Sequence, residues 1–107
     1  MLFAIIYKSK ENWTEATDKR SYDLYNNWKP PQGFEFKSHY AFADGRGGFA
    51  IAEASSPAAV YEAHIPWAAY YDFETIPVIS IEDSIKIQQR VFAWRDSVRQ
   101  RELVSVM

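Results

Sequence analysis

The side chains best suited to moving protons here are two histidines, His39 and His64, and two strand carboxylates, Glu53 and Glu74. Glu53 follows Phe49 and Ile51 on one strand face, where burying an unpaired carboxylate is costly. His64 falls between Val60 and Trp67 on a helical stripe. If the strand ending in Glu53 is followed by a helix that folds back on the sheet, Glu53 and His64 are expected to face one cleft, with Trp67 in its wall. His39 belongs to an alternating strand whose hairpin partner contains Glu53. A symmetric hairpin puts His39 across from Glu53 or its neighbour, where the two form a proton-transfer pair if they share a face. The plainer alternatives are a cross-strand polar pair for His39 and a packed core histidine for His64. Glu74 reads either as a ligand contact or as an ion-pair partner for a neighbouring strand or subunit.

Aromatic residues supply the rest of a conceivable site. The chain has seven Phe, seven Tyr and four Trp, enough to line a cavity, build a core or cover an interface. Tyr7, Trp28, Tyr40, Tyr61, Trp67, Tyr70 and Tyr71 are the candidates to hold a planar organic ligand. No metal or cofactor is expected. Cysteine is absent, the histidines lack metal-ligand spacing, and neither a phosphate loop nor a dinucleotide fingerprint occurs. Without cysteine there is no disulfide and no thiolate catalysis. The net charge of −2 with no basic block argues against nucleic acid. The apolar run Leu2–Tyr7 is too short for a signal-peptide core and no run approaches a membrane span, so a cytoplasmic location is expected.

At 107 residues the chain suits one domain that buries roughly two-thirds of its unfolded surface. Leu2–Tyr7 reads as a central strand buried on both faces. A helix capped by Asn12 is expected to run to Trp28, presenting Ala16, Leu24, Tyr25 and Trp28 on one side, before Pro30-Pro31 stops it. Phe34–Phe42 alternates apolar and polar residues, Asp44–Gly48 forms a hairpin loop, and Phe49–Ala54 returns with three alanines on one face. Ser55 or Ser56 caps a second helix with Pro57 in its first turn, and Pro66 ends it. Asp72–Ile79 is a strand in which Pro77 points to a sheet edge or a bulge. Ser80 opens a third helix carrying Ile87, Val91, Trp94 and Val98, a stripe that calls for burial. The result is an α+β chain in the order β-α-β-β-α-β, the ferredoxin-like arrangement with a four-stranded antiparallel sheet, plus an extra C-terminal helix. Residues 1–80 form the domain and 81–107 the helical extension.

That order and size resemble the dimeric α/β-barrel superfamily, in which two such sheets face one another. A closer likeness is to small bacterial domains of unassigned function. It is carried by Gly33, Gly47-Gly48, Glu53, Pro57, Trp67 and Phe73-Glu74-Thr75-Ile76-Pro77-Val78. The resemblance implies a homodimer with a small-molecule cleft between sheet and helices. It also adds weight to Glu53, which matches a Glu of the family pattern. Relatives in the superfamily include cofactor-independent monooxygenases and isomerases. Two readings follow, a cofactor-independent enzyme abstracting a proton from a small planar organic substrate, and a non-catalytic ligand-binding or interaction module. In the first, Glu53, His64 or His39 is the base, and Trp67, Tyr7, Tyr40, Trp28 and Glu74 hold the ligand.

Overall fold

The structure is a computed structural model and describes residues 1–106. Strand β1 (Leu2–Ser9) lies inside a four-stranded sheet completed by β2 (Phe34–Ala41), β3 (Gly47–Ala54) and β4 (Tyr71–Val78). The sheet order is β2-β3-β1-β4 and every pairing is antiparallel. Helix α1 (Glu15–Asn26) connects β1 to β2, and α2 (Pro57–His64) with a 3₁₀ turn (Ile65–Trp67) connects β3 to β4. This is the expected α+β, ferredoxin-like order, and of the two placements that Pro77 points to, an edge or a bulge, β4 takes the edge. Helix α3 (Ile81–Val106) follows after only Ile79-Ser80.

The helix ends have local chemical causes. Ser56 Oγ accepts from the Ala59 amide at 3.3 Å with Pro57 behind it, and Ser80 Oγ accepts from the Asp83 amide at 3.0 Å. Helix α1 begins two residues later than Asn12 suggests. Thr14 is its cap, with Oγ1 accepting from the Thr17 amide at 3.1 Å. Its inner side differs too: Ala16 is exposed, and the residue it buries is Ser21.

Burial divides the sheet into two unlike faces. Phe3 and Ile5 of β1, Phe34 of β2 and Ala50, Ala52 and Ala54 of β3 form the core with Ala59, Val60 and Ala63 of α2. The three alanines explain the close approach of α2, because a helix can settle on a strand that presents only methyl groups. Val60 is 2% exposed, a burial that stabilises by roughly 1.5–3 kcal/mol. On the other face, cross-strand register aligns Leu2 with Glu53 and Val78, Ala4 with Ile51 and Ile76, and Ile6 with Phe49 and Glu74. None of these is fully buried. Strand β1 is apolar on both sides, and the helices cover one side only.

Helix α3 departs most from expectation. The stripe that calls for burial is open in the single chain, with Trp94 62% exposed and Ile87 and Val91 also exposed. The radius of gyration is 21.0 Å and the long axis 74 Å, whereas a compact chain of this length has a radius near 13 Å. The helix is an arm standing off the domain. Among the described residues, no helix is long and apolar enough to cross a membrane.

Candidate functional site

A cavity of about 430 Å³ lies between α1 and the helix-covered face of the sheet. That is within the range of small-molecule sites. Helix α1 contributes Asp18, Ser21, Tyr22 and Tyr25, with Trp28 just beyond it. The sheet contributes Tyr7, Phe36, His39, Tyr71 and Phe73, and the α2 side adds Ala63, His64 and Trp67. The helix residues recur every three or four positions, so one face of α1 forms the roof. Trp67 joins the two sides, its indole Nε1 donating to the Ser21 carbonyl at 3.2 Å while the ring packs 5.3 Å from Trp28.

The polar centre is a pair the sequence reading did not foresee. His39 Nε2 lies 2.7 Å from the Tyr7 hydroxyl. Strict alternation along β2 would send His39 to the opposite face from Phe34 and Phe36. Instead the register slips between Phe36 and Ser38, a β-bulge at Lys37. The extra residue brings His39 onto the helix-covered face, where it pairs with Ala50 and stacks on Phe36 with ring centroids 4.5 Å apart. The expected His39–Glu53 pair is therefore overturned. Glu53 is opposite Glu35, and the phenol of Tyr7 takes the carboxylate's place beside His39.

Burial lowers the pKa of His39 below its usual 6.5, and it pushes the Tyr7 phenol up to about 12, with the nearby Tyr71 and Tyr25 hydroxyls adding to the rise. At neutral pH the pair is thus a neutral imidazole beside a neutral phenol. The phenol can donate to Nε2 when the imidazole proton is on Nδ1. His64 reaches the same cavity from the end of α2. Its Nδ1 donates to the Val60 carbonyl at 2.9 Å, which leaves Nε2 as an acceptor in the neutral ring.

The remaining sequence candidates divide clearly. Tyr7, Trp28, Trp67, His39 and His64 all line the cavity, and Tyr40 borders it while 64% exposed. Tyr71 lines it as well, whereas Tyr61 and Tyr70 do not. Glu53 and Glu74 are not cavity residues. Register puts both on the uncovered sheet face, where Glu53 Oε1 meets the Met1 nitrogen at 2.7 Å. The shared Glu53–His64 cleft is therefore contradicted. Helix α2 packs on the alanine face, and Glu53, one residue from Ala52 and Ala54, must point the other way. Among the described residues, no group of three or more His, Asp or Glu is placed to hold a metal ion.

Residues 1–92 match the family described as a domain of unknown function, DUF3303. The chain belongs to that family. The match takes in the whole sheet, the residues around the cavity and the first half of α3, so the DUF3303 unit contains the site just described. It bears out the resemblance to a small domain of unknown function and says nothing about barrel assembly. A search of the curated proteins finds no match.

Gly48 supports the Tyr7–His39 pair from below. It is paired with Tyr7 in the sheet, and a Cβ on it would run into the Tyr7 hydroxyl and ring and the Tyr40 carbonyl. Gly48→Ala is expected to destabilise the protein by about 1–3 kcal/mol and to displace the phenol from His39. Thermal melting checks the first effect and the His39 ring signals in an NMR spectrum check the second. An unchanged melt with unchanged ring signals would contradict the close approach.

Proposed function

We propose that the cavity binds a small planar organic molecule and that Tyr7 and His39 accept a proton from it. The observation carrying this reading is the neutral Tyr7–His39 pair set in a wall of aromatic rings. A ligand donor placed on the Tyr7 oxygen gives up its proton as the phenol passes its own to His39 Nε2. The ligand is left deprotonated and the imidazole protonated. The stacked and edge-on rings around the cavity favour flat ligands, and His64 offers a second polar contact. The chemistry needs no cofactor. Native mass spectrometry of protein purified from its own host is expected to show an organic adduct that acid denaturation releases. A bare protein mass, together with no melting shift from a millimolar panel of planar aromatic compounds, would refute the reading.

The working unit in this reading is a homodimer. Two apolar surfaces of one chain lack a partner, the uncovered face of the sheet and the stripe on α3. Monomers rarely leave more than a few hundred Å² of contiguous apolar surface in water. The domain and the arm differ in charge: residues 1–80 carry seven Lys and Arg against ten Asp and Glu, whereas residues 81–107 carry five Lys and Arg against four Asp and Glu. A second copy of the chain supplies both a sheet face and an arm, and a twofold axis would let each chain cover the other.

A further inference from the structure

We infer that the cavity selects by charge, taking an organic cation such as an aromatic or alkyl ammonium and rejecting carboxylates, sulfonates and phosphates. The inference rests on the ligand-binding reading and narrows it. Among the described residues, Asp18 is the only one lining the cavity with an acidic or a strongly basic side chain, and no Lys or Arg lines it. An anion placed there would lose its water without gaining a cationic partner, which is the costly case for a buried charge. A cation meets the opposite environment. The faces of Tyr25, Trp28, Trp67, Tyr71 and Phe73 are electron-rich, and an ammonium over such faces is attracted most strongly once water is excluded. Asp18, in the first turn of α1, adds a carboxylate at the exposed side of the same wall.

Proton transfer points the same way. Moving a proton from a neutral ligand to neutral His39 creates a separated anion and cation, with no Lys or Arg among the described lining residues to hold the anion. Moving it from a cationic ligand only relocates one positive charge, from ligand to imidazole.

Three probes of nearly one shape and different charge test the inference: phenyltrimethylammonium, tert-butylbenzene and benzenesulfonate. Each is titrated into the full chain while the tryptophan fluorescence is followed, to which Trp28 and Trp67 contribute from the cavity wall. The ammonium is expected to bind at least about tenfold more tightly than the neutral probe, and the sulfonate not to bind. Asp18→Asn is expected to reduce the preference for the ammonium over tert-butylbenzene several-fold. Equal affinity for ammonium and neutral probes, binding of the sulfonate, or a preference that Asp18→Asn leaves untouched would overturn the inference. Binding of the neutral probe without a charge preference would defeat only this inference, whereas failure of all three probes would defeat the ligand-binding reading with it.

Discussion

His39→Gln is expected to slow proton transfer by roughly 10²–10⁴-fold while leaving the fold and the ligand in place. Glutamine keeps a polar group near the Tyr7 hydroxyl and fits beside Phe36, but it cannot take up a proton near neutral pH. The measurement is exchange of the retained ligand's acidic proton with deuterium in D₂O, followed by NMR. Tyr7→Phe should lie in the same direction, because it removes the hydroxyl between ligand and imidazole and keeps the ring. Wild-type exchange in the His39→Gln protein would remove the histidine from the reaction.

The same residue gives the pH dependence a definite sign. Burial lowers the folded-state pKa of His39 below 6.5, so the unfolded chain takes up the proton first as pH falls. The contribution to stability is fully present above pH 6.5 and is lost as pH drops from 6.5 through the lowered folded value. Proton-accepting activity should decline along the same acid limb, since only the neutral imidazole accepts. Tyr7, with its phenol pushed up to about 12, stays protonated across this window. Denaturant melts at about pH 7.5 and about pH 5 should therefore differ more for the wild type than for His39→Gln. Identical pH responses in the two proteins would show that His39 is not the group responsible.

Much of the fold could be read along the chain because single residues impose it. Pro77 lacks the amide that a central strand must donate, and β4 is an edge. Ser56-Pro57 and Ser80 mark helix starts through oxygen acceptors and a fixed φ, and α2 and α3 begin there. The aromatic walls were legible as residue types, through Tyr7, Trp28 and Trp67. The polar centre was not. Alternation along β2 assumes an unbroken register, and nothing in Phe34–Ala41 announces that Lys37 is the extra residue. That one bulge decides whether His39 meets a carboxylate on the uncovered face or a phenol in the cavity. Glu53 was misplaced for another reason. Its run correctly put it with Phe49 and Ile51, but α2 was attracted to the alanine face, where it can pack closely. The roof of the cavity carried a signal that could have been used. Asp18, Ser21, Tyr25 and Trp28 recur at helical spacing, and the small Ser21 at the centre leaves room beneath the helix.

Sedimentation of the wild-type protein at micromolar concentration is expected to give twice the 12.4 kDa chain mass. Two substitutions far apart in sequence should each return it to a monomer. Ile51→Lys puts an ammonium at the middle of the uncovered face, between Ala4 and Ser38, with Ile76 on the strand beyond Ala4. Trp94→Glu puts a carboxylate in the α3 stripe with Ile87, Val91 and Val98. Burying either charge without a partner costs several kcal/mol, and losing a central Trp anchor alone can cost 2 kcal/mol or more, so the dimer should weaken well over tenfold. Neither side chain belongs to the packed core, so circular dichroism should show the fold retained in both variants. Removal of residues 81–107 should have the same effect as Trp94→Glu and leave an apolar sheet face prone to aggregation. In the proposed twofold dimer the sheet face and the arm belong to one interface, so a charge in either is expected to weaken the same association. A wild-type protein that sediments as a monomer would end the dimer proposal. A protein that stays dimeric after loss of α3 would free the arm for some other partner and leave the sheet faces to hold the pair alone.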